Sequence, residues 1–249
     1  MVVRYRTLMM DSQRWEGFEF RSSDIVISTP PKCGTTWTQM LCAILIFDGP
    51  DFPAPLSQLS PWLDQTIHSL DTVRALYAAQ QNRRFIKTHT PLDGLPMRDE
   101  IKYVVVGRDP RDVMVSMEHH LDTAWQLRDQ PNVAMCHYAD FSADLPDEIV
   151  RLADFLDMKV TLERAKRFAA EATLDRMRDR AEEVMPNAGA IWRDDGAFFR
   201  AGSFGEWRTR VNEDVLGEYD RTVRDIASPE LATWAHYGRL ACGIDPARD

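Results

Sequence analysis

The stretch from residue 24 to 49, DIVISTPPKCGTTWTQMLCAILIFDG, constrains the fold more than any other part of the chain. The apolar run Ile25–Ile27 predicts a buried strand, and Pro30 and Pro31 stop it because proline cannot donate to a ladder. Gly34, Thr35 and Thr36 then open a helix that is apolar through Leu41–Phe47 and is expected to close at Gly49. A short buried strand, a turn and a buried helix make the first half of a βαβ unit, and the pattern recurs. RRFIKTHTP predicts a second strand halted by Pro91. IKYVVVGRDPRDV predicts a third, followed by Asp109 as helix N-cap and Pro110 at the first helical position. NVAMCHYADF is expected to be a fourth strand. PDEIVRLADFLDM, TLERAKRFAAEA and TLDRMRDRAEEV carry helical spacing, AFFRAGSFGEW predicts a glycine-containing loop, and helices are expected from about Val211 to Leu240. Strands alternating with helices predict a P-loop-like three-layer α/β fold, a central parallel sheet flanked by helices. Without repeats or a linker, residues 1–249 are expected to form one domain.

Composition narrows the function classes. A net charge of −9 argues against general nucleic-acid binding, which needs a basic field, although a few focused cations still suffice for an anion site. No apolar run is long enough for a membrane span, and MVVRYRTLMMDSQRW lacks a signal-peptide core. The four cysteines, Cys33, Cys42, Cys136 and Cys242, are scattered and are read as reduced thiols of a cytoplasmic protein. The histidines form no HExxH or similar metal-ligand spacing, and the His119–His120 pair is read as a helix end.

The opening loop predicts an anion site. Gly34 allows close backbone approach, and the free amides of a helix start, with the helix dipole, favour negative charge. The order Lys32-Cys33-Gly34-Thr35-Thr36 is not the Walker pattern, in which lysine follows the glycine. Trp37 is suited to stacking on a nucleobase or to packing in the core. In open parallel sheets ligands sit beyond the carboxyl ends of the strands, where Lys32, Lys87, His89 and Arg108 all fall. Lys87 and His89 alternate along an extended chain and so face one side. Arg108 has two readings, a bidentate phosphate ligand or an ion pair with Asp109 or Asp112.

TPPKCGTTWTQML resembles the 5′-phosphosulfate loop of the cytosolic-type sulfotransferases, enzymes that use 3′-phosphoadenosine 5′-phosphosulfate (PAPS) and release 3′-phosphoadenosine 5′-phosphate (PAP). Further along, RRFIKTHTPLDGLP, YVVVGRDPRDVMVSMEHH, HYADF and FFRAGSFGEW resemble that family's later segments, in the same order. The pattern looks closest to bacterial members acting on glycolipids or lipophilic alcohols. The resemblance implies transfer of a sulfuryl group to a hydroxyl of a small-molecule or lipid acceptor, with no metal. It implies Lys32, Lys87 and His89 as catalytic residues, His89 being the base. It implies a donor site of Lys32, Cys33, Gly34, Thr35, Thr36, Trp37, Arg108, Ser116, Tyr138, Thr173, Leu174, Phe198, Phe199, Arg200 and Gly202. Within this set, Arg108, Ser116, Arg200 and Gly202 are assigned to the 3′-phosphate. SPWLDQ resembles an acceptor-lining segment, which adds Trp62 and Leu63 beside His89 as substrate contacts.

The chain also departs from the family. Ala201 stands where relatives often carry lysine, ATLDRM matches only loosely, and the interval 117–137 is much shorter than usual. That interval normally supplies a lid over the acceptor, so either the lid is truncated or a segment is absent. Two alternative readings stay open: a P-loop NTPase or kinase, separated by comparing ATP hydrolysis with PAPS turnover, and a nucleotide-binding module without catalysis.

Overall fold

The computed structural model describes residues 2–113, 118–180, 205 and 207–247. Four strands, β1 (Ile25–Ser28), β2 (Phe85–Thr88), β3 (Lys102–Gly107) and β4 (Val133–His137), form one parallel sheet in the order β2-β1-β3-β4. Ile25 pairs with Phe85 on one side and Lys102 on the other, and Tyr103 pairs with Val133. The chain lays β2 on one flank of β1 and then crosses to place β3 on the other. The order of strand addition therefore reverses at β1, and ligand crevices form at such reversals, beyond the carboxyl ends of the strands.

Period-two alternation divides the core between the two faces. Ile25, Ile27, Phe85, Val104 and Val106 pack against Met40, Leu41 and Ile44 of α1 (Thr35–Phe47) and against the helices Leu145–Phe155 and Leu162–Glu171. Val26, Ile86, Tyr103 and Val105 face the opposite layer, which includes Tyr77, Leu121, Trp125, Leu231 and Trp234. β1, β2 and β3 are largely buried on both faces, as a parallel sheet between helical layers requires, while alternate residues of the edge strand β4 are partly exposed. Asp24 and Arg84, the residues immediately before β1 and β2, form a bidentate ion pair at 0% and 3% side-chain exposure. That pair fixes the start of the β1–β2 register.

Two boundaries differ from the sequence expectation. The fourth strand stops at His137, because the His137 ring accepts the Ala139 amide at Nδ1 and caps a helix, Tyr138–Ala143. Tyr138 is thus the first residue of a helix rather than part of a strand. At the end of α1 the left-handed cap is Asp48, with φ 64°, and the Gly49 amide donates to the Ile44 carbonyl. Asp109 does cap the turn beginning at Pro110, accepting the Arg111 amide at 3.0 Å. Of TLDRMRDRAEEV, the described helix covers Leu174–Asp179. The C-terminal region folds as the helices Glu213–Ile226 and Pro229–Tyr237 with a short turn, Arg239–Cys242.

Candidate active site

The loop between β1 and α1 reaches its shape through two left-handed residues, Lys32 at φ 67° and Gly34 at φ 94°. Only glycine fits at position 34: a Cβ there would lie 3.1 Å from Tyr138 Cδ2, and the backbone conformation disfavours any side chain. Gly34 is the residue before α1 and offers no side-chain cap, so the first-turn amides of this 13-residue helix point to the loop's mouth without one. Thr35 Oγ1 lies 2.5 Å from Thr29 Oγ1, and Thr36 is buried. The Cys33 side chain is placed elsewhere: it is fully buried in the core beneath the loop, its amide bonds the Pro30 carbonyl, and burial raises the thiol pKa far above the usual range. Its thiol cannot serve as a ligand contact.

Lys87 and His89 flank the end of β2 and address the same indole. The His89 ring meets Trp62 edge-on at 4.7 Å, and Lys87 Nζ lies 5.7 Å from the Trp62 ring centre. His89 Nδ1 is 2.6 Å from the Thr29 carbonyl oxygen. A carbonyl can only accept, so Nδ1 carries the proton and Nε2 is left with its lone pair. Burial pushes the His89 pKa down to about 4, and the charges of Lys87 and Lys32 act in the same direction. Burial likewise pushes Lys87 down to about 8, against the opposing influence of Asp64. Both side chains retain some solvent contact, so their desolvation is incomplete. Leu63, next to Trp62, is fully buried in the second core and presents no surface to an acceptor.

Beyond β3, Arg108 reaches back to the loop. Its Nη1 donates to the Lys32 carbonyl at 3.3 Å and its guanidinium carbon stands 4.6 Å from the Tyr138 ring centre. Nη2 is 4.0 Å from Asp112, a long contact, while Asp109 pairs instead with Arg111. Trp37 packs edge-on against Tyr138 and Phe141, and its indole N–H is buried without an acceptor among the described residues. Asp112 accepts the amides of Gly205 and Trp207, and Asp109 accepts the Trp207 indole N–H at 3.1 Å. These bonds anchor the end of the expected glycine loop beside Arg108. Ser116, Phe198, Phe199, Arg200, Ala201 and Gly202 lie outside the described residues. Thr173 caps the helix Leu174–Asp179 through its hydroxyl, and Leu174 packs on the first core, which accounts for both residues structurally.

Sequence reasoning missed Asp64 and His120 as parts of this neighbourhood. Asp64 is fully buried and accepts bonds from Trp15, Thr88 and Thr90. His120 is buried on a helix, Glu118–Trp125, with Nε2 2.8 Å from Ser28 Oγ. Burial, then the neighbouring His89, push its pKa down to about 3. An acid in a loop and a histidine at a helix start read as solvated groups until the partners that bury them are known.

A fold and site of this kind define an α/β protein with an anion cradle at a helix start and cations beyond three strand ends. The sulfotransferase domain family model matches residues 22–123 and 116–234. The glycolipid sulfotransferase of Mycobacterium bovis is 40% identical over 318 residues, covering 98% of this chain and 97% of that protein. The luciferin sulfotransferase of Photinus pyralis is 26% identical, covering 87% and 75% of the two chains. Among solved structures, retinol dehydratase in complex with androsterone and PAP superposes with a TM-score of 0.74 at 22% identity, covering 89% and 87%. Mouse sulfotransferase SULT7A1 complexed with PAP gives 0.71 at 16%, covering 91% and 95%. The chain belongs to the sulfotransferase family, and it is a sulfotransferase. The 318-residue alignment is longer than the chain's 249 residues, so it opens gaps in this chain. The two matched stretches of the family model overlap at residues 116–123.

Proposed function

We propose that this chain transfers a sulfuryl group from PAPS to a hydroxyl of a glycolipid or similar lipophilic acceptor, with His89 as general base. The observation that carries this reading is the convergence at β2 and the loop before α1. His89 is held by the Thr29 carbonyl so that Nε2 is the free nitrogen, and the charges of Lys87 and Lys32 both act on its ring. The residues present fit a bound adenylate donor. The start of α1 lacks a side-chain cap, Gly34 in its left-handed conformation lets Tyr138 close over the loop, and Trp37 and Tyr138 make an aromatic wall under Arg108. The acceptor class comes from the relatives named glycolipid sulfotransferases, which align along nearly the whole chain.

PAPS, when bound, supplies a sulfuryl group already attached to a phosphate leaving group. The protein supplies alignment and charge. Thr35, Thr36 and the amides at the start of α1 hold the 5′-phosphate side. Lys32 and Lys87 would neutralise the negative charge of that phosphate as leaving group. Nε2 of His89 takes the proton of the acceptor hydroxyl. In the free protein His89 is neutral at pH 7, which is the form a base needs, and a bound polyanion raises its pKa toward the working pH. Arg108, with Ser116 and the 200–202 segment, holds the 3′-phosphate.

Transfer of labelled sulfate from PAPS into a lipid extract, with mass spectrometry of the product, tests this reading. A sulfated lipid is expected; ATP hydrolysis without sulfate transfer would replace it with the NTPase reading. Arg108→Ala should weaken PAP far more than AMP in a thermal-shift titration, since AMP has no 3′-phosphate. Equal weakening of both ligands removes the Arg108 assignment.

A further inference from the structure

Asp64 is a fully buried acid that the mechanism above does not use. Three donors converge on one of its oxygens, Oδ2: the Trp15 indole N–H at 3.0 Å, the Thr90 hydroxyl at 2.7 Å, and the Thr88 hydroxyl. Three donors on a single oxygen suit an anion. A proton on Oδ1 would have no acceptor, because Oδ1 has no hydrogen-bond partner among the described residues. The Trp62 indole N–H favours the same anion electrostatically without reaching hydrogen-bond geometry. Burial, the largest influence, raises the Asp64 pKa above its ordinary value, and the donors oppose it in part. A buried carboxylate of this kind is sustainable when a cation stands near it, and Lys87 is the cation whose charge Asp64 supports.

The two threonines are the residues on either side of His89. Side chains alternate along an extended segment, so Thr88 and Thr90 point to one side while Lys87 and His89 point to the other. Thr88 Oγ1 also accepts the Thr90 amide at 2.9 Å, and Ser28 Oγ donates to the Thr90 carbonyl at 2.8 Å. The segment 88–90 is thereby fixed from behind, and the His89 ring is aimed at the Thr29 carbonyl. We propose that Asp64 is a positioning residue for sulfuryl transfer: its carboxylate clamps Thr88 and Thr90 and so holds the His89 ring between them in its working orientation. The proposal rests on the roles given above to His89 and Lys87.

Among the described residues, the charge of Asp64 acts on Lys87, the charges of Lys87 and Lys32 act on His89, and His89 in turn acts on His120. Asp64 is the acid among them. Asp64→Asn keeps the shape and an acceptor oxygen but removes the charge, so Lys87 loses its proton at lower pH. The test follows the rate of Lys87 acetylation against pH by peptide mass spectrometry, together with the pH profile of kcat for transfer from PAPS. In Asp64→Asn the acetylation midpoint and the alkaline limb of kcat both move to lower pH, while PAP affinity stays within about threefold of wild type. A purely structural role lowers activity without moving either midpoint, and unmoved midpoints together with a wild-type kcat overturn the proposal. If wild type transfers no sulfate, the functional reading fails, whereas the acetylation titration still decides whether Asp64 governs Lys87. Thr90→Val provides a second variant that keeps the carboxylate. It lowers kcat about tenfold with KM for PAPS unchanged, and a wild-type kcat contradicts the clamp.

Discussion

Replacing His89 with alanine removes Nε2 but leaves the start of α1 and Arg108 intact. Turnover is expected to fall by about 10²–10⁴-fold, the usual contribution of a positioned base, while PAP still binds. Calorimetry with PAP alongside a transfer assay checks both halves, and normal turnover removes His89 as the base. In the proposed mechanism Lys87 is expected to set the other limb of the pH profile. Its pKa of about 8 means that the charge needed at the leaving phosphate is present below that pH and lost above it. Thus kcat/KM, which reports the free enzyme, declines as pH rises through about 8. Bound donor anions favour the charged lysine, so the limb of kcat lies at higher pH. A kcat/KM that stays flat through this range contradicts the role of Lys87. At this scale much was legible: Lys32, Gly34, Lys87, His89 and Arg108 stand at strand ends in short strings, and the alternation of Lys87 with His89 survives as a shared contact with Trp62. Asp64 was not legible. Its burial comes from Trp15, Thr88 and Thr90, which lie 24 to 49 positions away.

Between elements, the decisive contact is the pair that begins the β1–β2 ladder. Arg84 donates twice to Asp24 with both groups almost fully buried, and its Nη2 also donates to the Glu19 carbonyl at 2.8 Å. Arg84→Ala leaves a buried carboxylate without its cation, a loss of about 3–5 kcal/mol. Urea unfolding measures it, and a change within about 0.5 kcal/mol shows the pair to be dispensable. Since β2 ends in the Lys87–His89 segment, this pair also holds the site's cations in register with the loop after β1. Sequence periodicity revealed the four strands and their parallel arrangement because each is a compact apolar run. It placed the end of the fourth strand too late, since nothing local distinguishes HYADF as a strand from HYADF as a helix capped by its own histidine.

Across the whole molecule, the network behind the site couples stability to pH. His120 is buried and neutral, with a folded pKa lowered from 6.5 to about 3. Its contribution to stability is full above 6.5 and is lost as pH falls toward the folded value, because the unfolded chain takes up the proton first. His120→Gln therefore flattens the fall in unfolding free energy below pH 6.5 by about 1.4 kcal/mol per pH unit. Equal slopes in the two proteins contradict a buried neutral imidazole. The layered fold was readable from alternating strands and helices, whereas the acceptor face was not, because loop packing decides it, as the burial of Leu63 beside Trp62 shows. The central claim is that Lys32, Lys87 and His89 converge where the donor parts from its sulfuryl group. A crystal structure of the complex with PAP tests it most directly. The account predicts the 5′-phosphate at the start of α1, within hydrogen-bonding reach of Lys32 and Lys87 and with His89 Nε2 facing it. A 5′-phosphate bound elsewhere, or those three side chains turned away from it, would contradict the account.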